Sequence, residues 1–315
     1  MKEDPDELVR RAAQRITSGE LPDAAADLEA AADAHAGAAR PLDESRVRQA
    51  LATVQRTMGA LDAAEASALR ARELAPAESP LLVSAETELG EIYLFGGRHA
   101  EAIAQYEAAL REGRALGLVD VARAGLHRRI AIAFALAGNH TQAALAAEDA
   151  AQLYTQAGVE GAATRSRIES ATALVEAGLA GAATRAIDVA RRAAASDHAA
   201  LAELDLLESA RALRAKDSGR ALEYAQSART EALEGGAVLP YVAAALAIAD
   251  LLEHGGDRVG AYRSLAVGWV TAADRIGQEL AATMFRAPLQ SQRDRWGEAA
   301  FDTVKAEYYA TRRRS

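Results

Sequence analysis

Glu86-Thr87-Glu88-Leu89-Gly90-Glu91-Ile92-Tyr93-Leu94-Phe95-Gly96-Gly97, followed by a second apolar-periodic stretch from Arg98 to Leu110, decides the fold of this chain. Apolar residues recur at helical spacing on both sides of Gly97. Gly97 is itself one of a series. Markers stand at Gly19, Gly59, Gly97, Gly138, Gly178, Lys216, Gly256 and Gly297, at intervals of 40, 38, 41, 40, 38, 40 and 41. Lys216 is the one substitution. An alanine usually follows five residues later, as Ala64, Ala102, Ala143 and Ala183 do. This rhythm predicts a helix, a tight turn and a second helix per unit. One such pair cannot bury its own apolar face, so the units must stack.

Composition agrees with an all-helical chain. Half of the residues are apolar but only 4% are aromatic, and alanine supplies much of the apolar share. Alanine is the best helix former and has no side-chain entropy to lose. There is no cysteine, which excludes disulfides, thiolate metal sites and cysteine nucleophiles. The formal net charge of -9 argues against nucleic acid or an anionic membrane as partner. No apolar run reaches membrane-spanning length. The start, Met1-Lys2-Glu3-Asp4-Pro5-Asp6-Glu7, is acidic and lacks a signal-peptide core. A cytoplasmic chain is the expectation. Arginine far outnumbers lysine, which with so much alanine fits a GC-rich bacterial genome.

In the opening stretch Leu89-Gly90, Tyr93, Gly97, Ala102, Tyr106 and Ala109 have the spacing of a known motif. The chain resembles the tetratricopeptide repeat family, in the long form of about 40 residues found in bacterial regulators and kinesin light chains. Ile130-Ala131, Phe134, Gly138, Ala143 and Ala150 repeat the pattern, as do Ala171, Leu174, Gly178, Ala183 and Ala190. The resemblance implies a right-handed superhelical solenoid of antiparallel helix pairs. Residues 1–315 would form one solenoid with pairs near 5–40, 44–78, 83–117, 122–158, 163–197, 200–235, 239–277 and 278–312. In that motif the small residue after the leucine lets the two helices pack closely. Tyr93, Leu94, Phe95, Tyr106 and Phe134 are expected as packing anchors. At Lys216 the following Asp217-Ser218-Gly219 is expected to supply the turn. Pro288 should kink or interrupt the first helix of the last pair. That pair is rich in aromatics (Trp296, Phe301, Tyr308, Tyr309). It is read as a solenoid cap or, alternatively, a homodimer contact.

The family lines its inner wall with the first helix of each pair. Carried onto this chain, the wall holds Arg46, Gln49 and Arg56 in the second unit and Glu91 and Phe95 in the third. Arg128, Arg129, Ile132 and Leu136 belong to the fourth; Arg165, Ile168 and Glu176 belong to the fifth. Further on, Glu203, Asp250 and Glu253 make it acidic. Arginines interleaved with apolar side chains suit a protein or peptide with an acidic or carboxylate-bearing segment, because guanidinium binds carboxylate bidentately. The alternative is that these charges satisfy one another.

The six histidines form no paired-histidine zinc motif, and no phosphate-binding or dinucleotide loop is present. His127 is expected to be a helix-packing residue. No cofactor, metal or catalytic residue is assigned. The expected function is a non-catalytic protein- or peptide-binding scaffold in a regulatory or assembly complex. A peptide-sensing regulator that changes its superhelix on binding is one alternative. An accessory or catalytic subunit of a biosynthetic pathway is another.

Overall fold

A computed structural model describes residues 4–312; Met1–Glu3 and Arg313–Ser315 lie outside them. The described residues form sixteen α-helices and no strand. They divide into two compact units, Met1–Ala177 and Gly178–Ser315. The first unit contains α1 (Pro5–Ser18), α2 (Leu21–Gly37), α3 (Pro41–Thr57), α4 (Leu61–Leu74), α5 (Pro80–Phe95), α6 (His99–Ala115), α7 (Asp120–Leu136), α8 (His140–Gln156) and α9 (Glu160–Glu176). The second contains α10 (Ala180–Ala194), α11 (His198–Arg214), α12 (Ser218–Glu234), α13 (Val238–His254), α14 (Arg258–Ile276), α15 (Gln278–Trp296) and α16 (Glu298–Arg312). The architecture is an all-α array of repeated helix pairs.

Local chemistry sets where helices start and stop. Proline opens α1, α3 and α5, where its missing N–H costs nothing. Aspartates 197, 217 and 257 cap α11, α12 and α14 by accepting from backbone N–H groups two or three residues into each helix. The turns after α1, α3, α5, α7, α11 and α13 share one hydrogen-bond pattern, whereas Gly297 after α15 donates to the Arg293 carbonyl instead. After α5, Gly97 donates to the Leu94 carbonyl and Arg98 to the Tyr93 carbonyl at 2.8 Å. After α7, Gly138 and Asn139 do the same to Ala135 and Phe134. Both glycines have φ above 70°, so this is the left-handed stop that satisfies the last carbonyls of a helix.

Lys216 departs from the expectation. Asp217-Ser218-Gly219 does not replace the glycine. Lys216 itself adopts φ 61° and donates to Leu213, with Asp217 donating to Ala212. Asp217 is occupied as the N-cap of α12 and Ser218-Gly219 are already helical, so only residue 216 can supply the reversal.

The two helices of each pair approach closely because the residues at their crossing are small. The alanines five residues past the markers, Ala24, Ala64, Ala102, Ala143, Ala183, Ala221 and Ala261, are all buried. In the deciding stretch Gly90 faces Tyr106 of α6. A Cβ on residue 90 would lie 2.4 Å from Tyr106 Cε1. The tyrosine ring is fully buried against the space that glycine leaves. In the second unit Gly268 of α14 leaves the same kind of space for Phe285 of α15. Buried serines also serve the crossings. Ser45, Ser170, Ser209 and Ser264 each donate to an alanine carbonyl of the adjacent helix. A hydroxyl is small enough to fit there and finds a partner, so the hydrogen bond offsets the cost of taking it out of water.

Two further expectations are corrected. Phe95 is not an anchor; it is 65% exposed, whereas Tyr93 and Tyr106 are buried. Helix α15 runs through Pro288 without interruption. Phe285 and Gln292 are buried on either side of the proline, so both halves pack against the unit. The last pair packs back onto α14 of its own unit. Tyr262 of α14 meets the rings of Phe301 and Tyr308 edge-on, each with centroids 5.5 Å apart, and Trp296 lies beside Phe301. Such ring pairs stabilise beyond simple burial. Phe301 and Tyr308 are thereby withdrawn from any partner chain; Tyr309 remains exposed.

Two substitutions test this packing. Gly90→Val should lower stability by about 1–3 kcal/mol by overpacking against Tyr106, seen as a lower thermal midpoint. Lys216→Gly should raise stability by about 1 kcal/mol by relieving the left-handed strain. An unchanged or lower midpoint for Lys216→Gly would show that the strain is absent.

Candidate partner-binding wall

Within the first unit, successive first helices are α3, α5, α7 and α9. Their facing side chains form a charge ladder. Arg56 of α3 donates through Nε to Glu88 Oε1 of α5 at 2.8 Å. Arg129 of α7 donates to Glu91 of α5 at 2.6 Å. Arg128 of α7 grips Glu169 of α9 with Nε and Nη2, at 2.6 to 2.9 Å. Gln49 of α3 adds a bond to the Leu81 carbonyl at the start of α5. Each contact joins one repeat to the next.

The rungs differ in depth. The Arg56 and Glu88 side chains are 17% and 13% exposed, against 41% and 26% for Arg128 and Glu169. Burial works against the charge on Arg56, but Glu88 outweighs it and holds the guanidinium more firmly protonated than usual. At Arg128 the hydrogen bonds it donates to Glu169 are the largest influence and raise its pKa. Tyr106, which enters the gap at Gly90, comes close to this ladder. Burial first, and then the negative charge of Glu91, push its hydroxyl well above the ordinary tyrosine range.

Apolar side chains stand beside the rungs. Phe95 lies under the Arg56 guanidinium, 5.3 Å from carbon to ring centroid, a cation–π contact. Leu136 of α7 is 58% exposed and Ile132 is 38% exposed. Phe95 and Leu136 occupy the same repeat position, two residues before Gly97 and Gly138.

The structure thus places the expected wall residues as follows. Arg56, Glu91, Phe95, Arg128, Arg129 and Gln49 are brought into one connected system. Arg46 is exposed and pairs locally with Asp43 on its own helix. Arg165 and Glu176 are on α9 and both are engaged rather than free. Ile168 is buried in the core and does not belong to the wall. The wall arginines Arg56, Arg128 and Arg129 are partnered by carboxylates of neighbouring repeats, so an anionic ligand would have to displace Glu88, Glu169 or Glu91. In the second unit Glu253 of α13 binds Arg295 of α15 bidentately and accepts from the Trp296 indole at 2.7 Å. His127 is buried toward α8, 3.5 Å from Asp149; burial lowers its pKa.

Sequence reading placed Glu91 on the wall but missed Glu88 and Glu169, the other two carboxylates of the ladder. A signal was present: nine residues before a turn glycine stand Glu88, Arg129 and Glu169, whose sign alternates. Each meets an opposite charge from the preceding repeat. It also missed Arg229 and Arg263, which line a hollow of about 390 Å³ among α12, α13 and α14. They come from different helices, and no local spacing marks them.

With this geometry described, the chain is of the tetratricopeptide-like repeat class in fold. It is similar to a tetratricopeptide repeat protein from Parabacteroides merdae (15% identity, 90% of this chain and 97% of that one, TM-score 0.60). It is also similar to the signal-transduction ATPase with numerous domains and a tetratricopeptide repeat sensor from Pyrococcus horikoshii (15% identity, TM-score 0.63), covering 90% of this chain and 44% of that one. The apo quorum sensor NprR from B. thuringiensis aligns over 96% of this chain and 84% of its own, at 14% identity and TM-score 0.57. No protein-family model and no curated protein sequence matches the chain. Among the described residues no helix is long and apolar enough to cross a membrane.

The ladder makes a graded prediction. Glu88→Gln should cost about 1–3 kcal/mol, because it leaves a mostly buried guanidinium short of its partner. Glu169→Gln should cost about 1 kcal/mol or less, because water replaces the partner of a half-exposed arginine. Thermal midpoints of the two variants, compared at low and high salt, check the order.

Proposed function

We propose that this protein is a non-catalytic binding scaffold that takes up a protein or peptide segment along the first-helix wall of its N-terminal unit. The observation that carries the reading is the repeat-spaced pair of exposed apolar side chains, Phe95 and Leu136, with Ile132 between charged rungs. Exposed apolar residues scattered singly need no explanation. The same position exposed in consecutive repeats, on a wall otherwise closed by ion pairs, offers an anchor strip whose surroundings are already electrostatically satisfied. A partner would gain affinity from apolar side chains seated on that strip, and specificity from the flanking rungs. The partnered state of Arg56 and Arg128 favours an apolar segment over a strongly acidic one.

A sensing role is the second reading. Its support is the fold-level likeness to part of an ATPase that carries a tetratricopeptide repeat sensor and to the quorum sensor. In that case the rungs between successive first helices are the contacts that a bound segment would rearrange.

Peptide display against the purified chain tests the proposal. The selected segments should carry spaced apolar residues. The double variant Phe95→Ser/Leu136→Ser should bind them at least about tenfold more weakly, since losing two apolar anchors costs on the order of 1 kcal/mol or more each. Selected peptides that bind the variant as tightly as the original chain would place the site elsewhere.

A further inference from the structure

The second unit holds a side-chain cluster that the partner-binding reading does not use. His198 is the first residue of α11, while Glu231 and Glu234 are in the last turn of α12. His198 Nδ1 stands 2.7 Å from Glu231 Oε2 and 3.3 Å from Glu234 Oε2. Among the described residues, this is the one group of three histidine or carboxylate side chains whose donor atoms all lie within 4.8 Å of one another. The two helix ends are held together by close packing. A Cβ on Gly235 would lie 2.9 Å from the Ala199 nitrogen and 3.0 Å from His198 Cβ. Glycine at 235 is what lets the end of α12 meet the start of α11.

The charge balance here differs from that of the ladder. Along the wall each carboxylate meets a guanidinium. Among the described residues, neither Glu231 nor Glu234 is matched by an arginine. Arg275 comes near but spends its guanidinium on the Leu233 carbonyl at 3.2 Å. Two carboxylates and the negative carbonyl end of α12 therefore converge on a single imidazole.

We propose that His198 Nδ1, Glu231 and Glu234 form a binding site for a divalent transition metal of the zinc class. One imidazole and two carboxylates are donors that such ions accept, with water in the remaining position. Bonds of ~2.0–2.2 Å in tetrahedral geometry separate neighbouring donors by about 3.3 Å. The spacing from His198 to Glu234 already meets this. Glu231 must withdraw by about 0.6 Å for the same geometry, within the reach of a flexible side chain. All three groups are partly solvent-accessible, so the ion has an entry path. Once bound, it would clamp the open end of the α11–α12 pair, opposite the turn at Lys216.

Calorimetric titration of the tag-free, chelator-stripped full chain with Zn²⁺ tests the site. One equivalent should bind and raise the thermal midpoint. His198→Ala and Glu231→Gln should each weaken binding about tenfold or more and remove the rise in midpoint. His254→Ala, at the exposed end of α13, should bind as the original chain does. Unchanged circular dichroism of the metal-free variants ties lost binding to lost ligands, and Glu234→Gln replaces either variant should it unfold. Failure of the original chain to bind one equivalent, or binding by His198→Ala equal to it, overturns the assignment.

Discussion

The close approach of the two helices in each pair is the constraint on which the rest depends. Alanine has little surface to bury, about 0.8 kcal/mol for each CH₂ group. A chain with 4% aromatic residues cannot compensate with large side chains. It must bring backbones together and gain contacts along whole helix faces. Gly90 shows the arrangement most sharply, since the Tyr106 ring occupies the place where a side chain would stand. Buried serines at other crossings keep the same spacing and return their hydroxyls to neighbouring carbonyls. Only small residues leave the helices near enough for this packing, and the left-handed turns allow two helices to be joined at that distance.

The same close apolar packing also joins one pair to the next, as Ser170 of α9 on α8 and Gly268 of α14 beside Phe285 of α15 show, and further chemistry is added to it. In the first unit that chemistry is partly ionic. The ladder from Arg56 to Glu88, from Glu91 to Arg129 and from Arg128 to Glu169 ties α3, α5, α7 and α9 in succession. Exposed ion pairs are weak one by one. Their role here is registry, because each rung fits only when neighbouring repeats stack at one height. The second unit uses a mixed version. Glu253 takes both Arg295 and the Trp296 indole, while aromatic rings close its last pair.

Satisfied charges also change the kind of recognition that the wall supports. Free arginines would make it an anion trap. Arginines held by neighbouring carboxylates make it a patterned surface on which Phe95, Ile132 and Leu136 are the unsatisfied groups. The cluster at His198 is the opposite case. There, carboxylates exceed their cationic partners, and the imbalance points to a cation. The same balance of charges separates the proposed surface for apolar segments from the proposed metal site.

The sequence by itself determined the repeat. Period, turn position, the alanines past each turn and the small residue opposite Tyr106 are all local in the chain, because a helix–turn–helix unit is specified by residues within about 40 positions. Lys216 and Pro288 show where that locality ends. The left-handed turn persists without glycine because capping commits the residues after it. The helix persists through proline, and both halves pack against the unit. Repeat position also gave the wall arginines and Glu91. Only the tertiary structure decided what those arginines do, since their partners lie 32 to 41 residues away on a neighbouring first helix. Charge pairing depends on which side chains meet across a stack. That depends on how many residues each turn and helix consume, which the period fixes only to within a few positions. An error of one residue turns a helical side chain through about 100°. The fold tolerates that uncertainty, whereas a salt bridge does not.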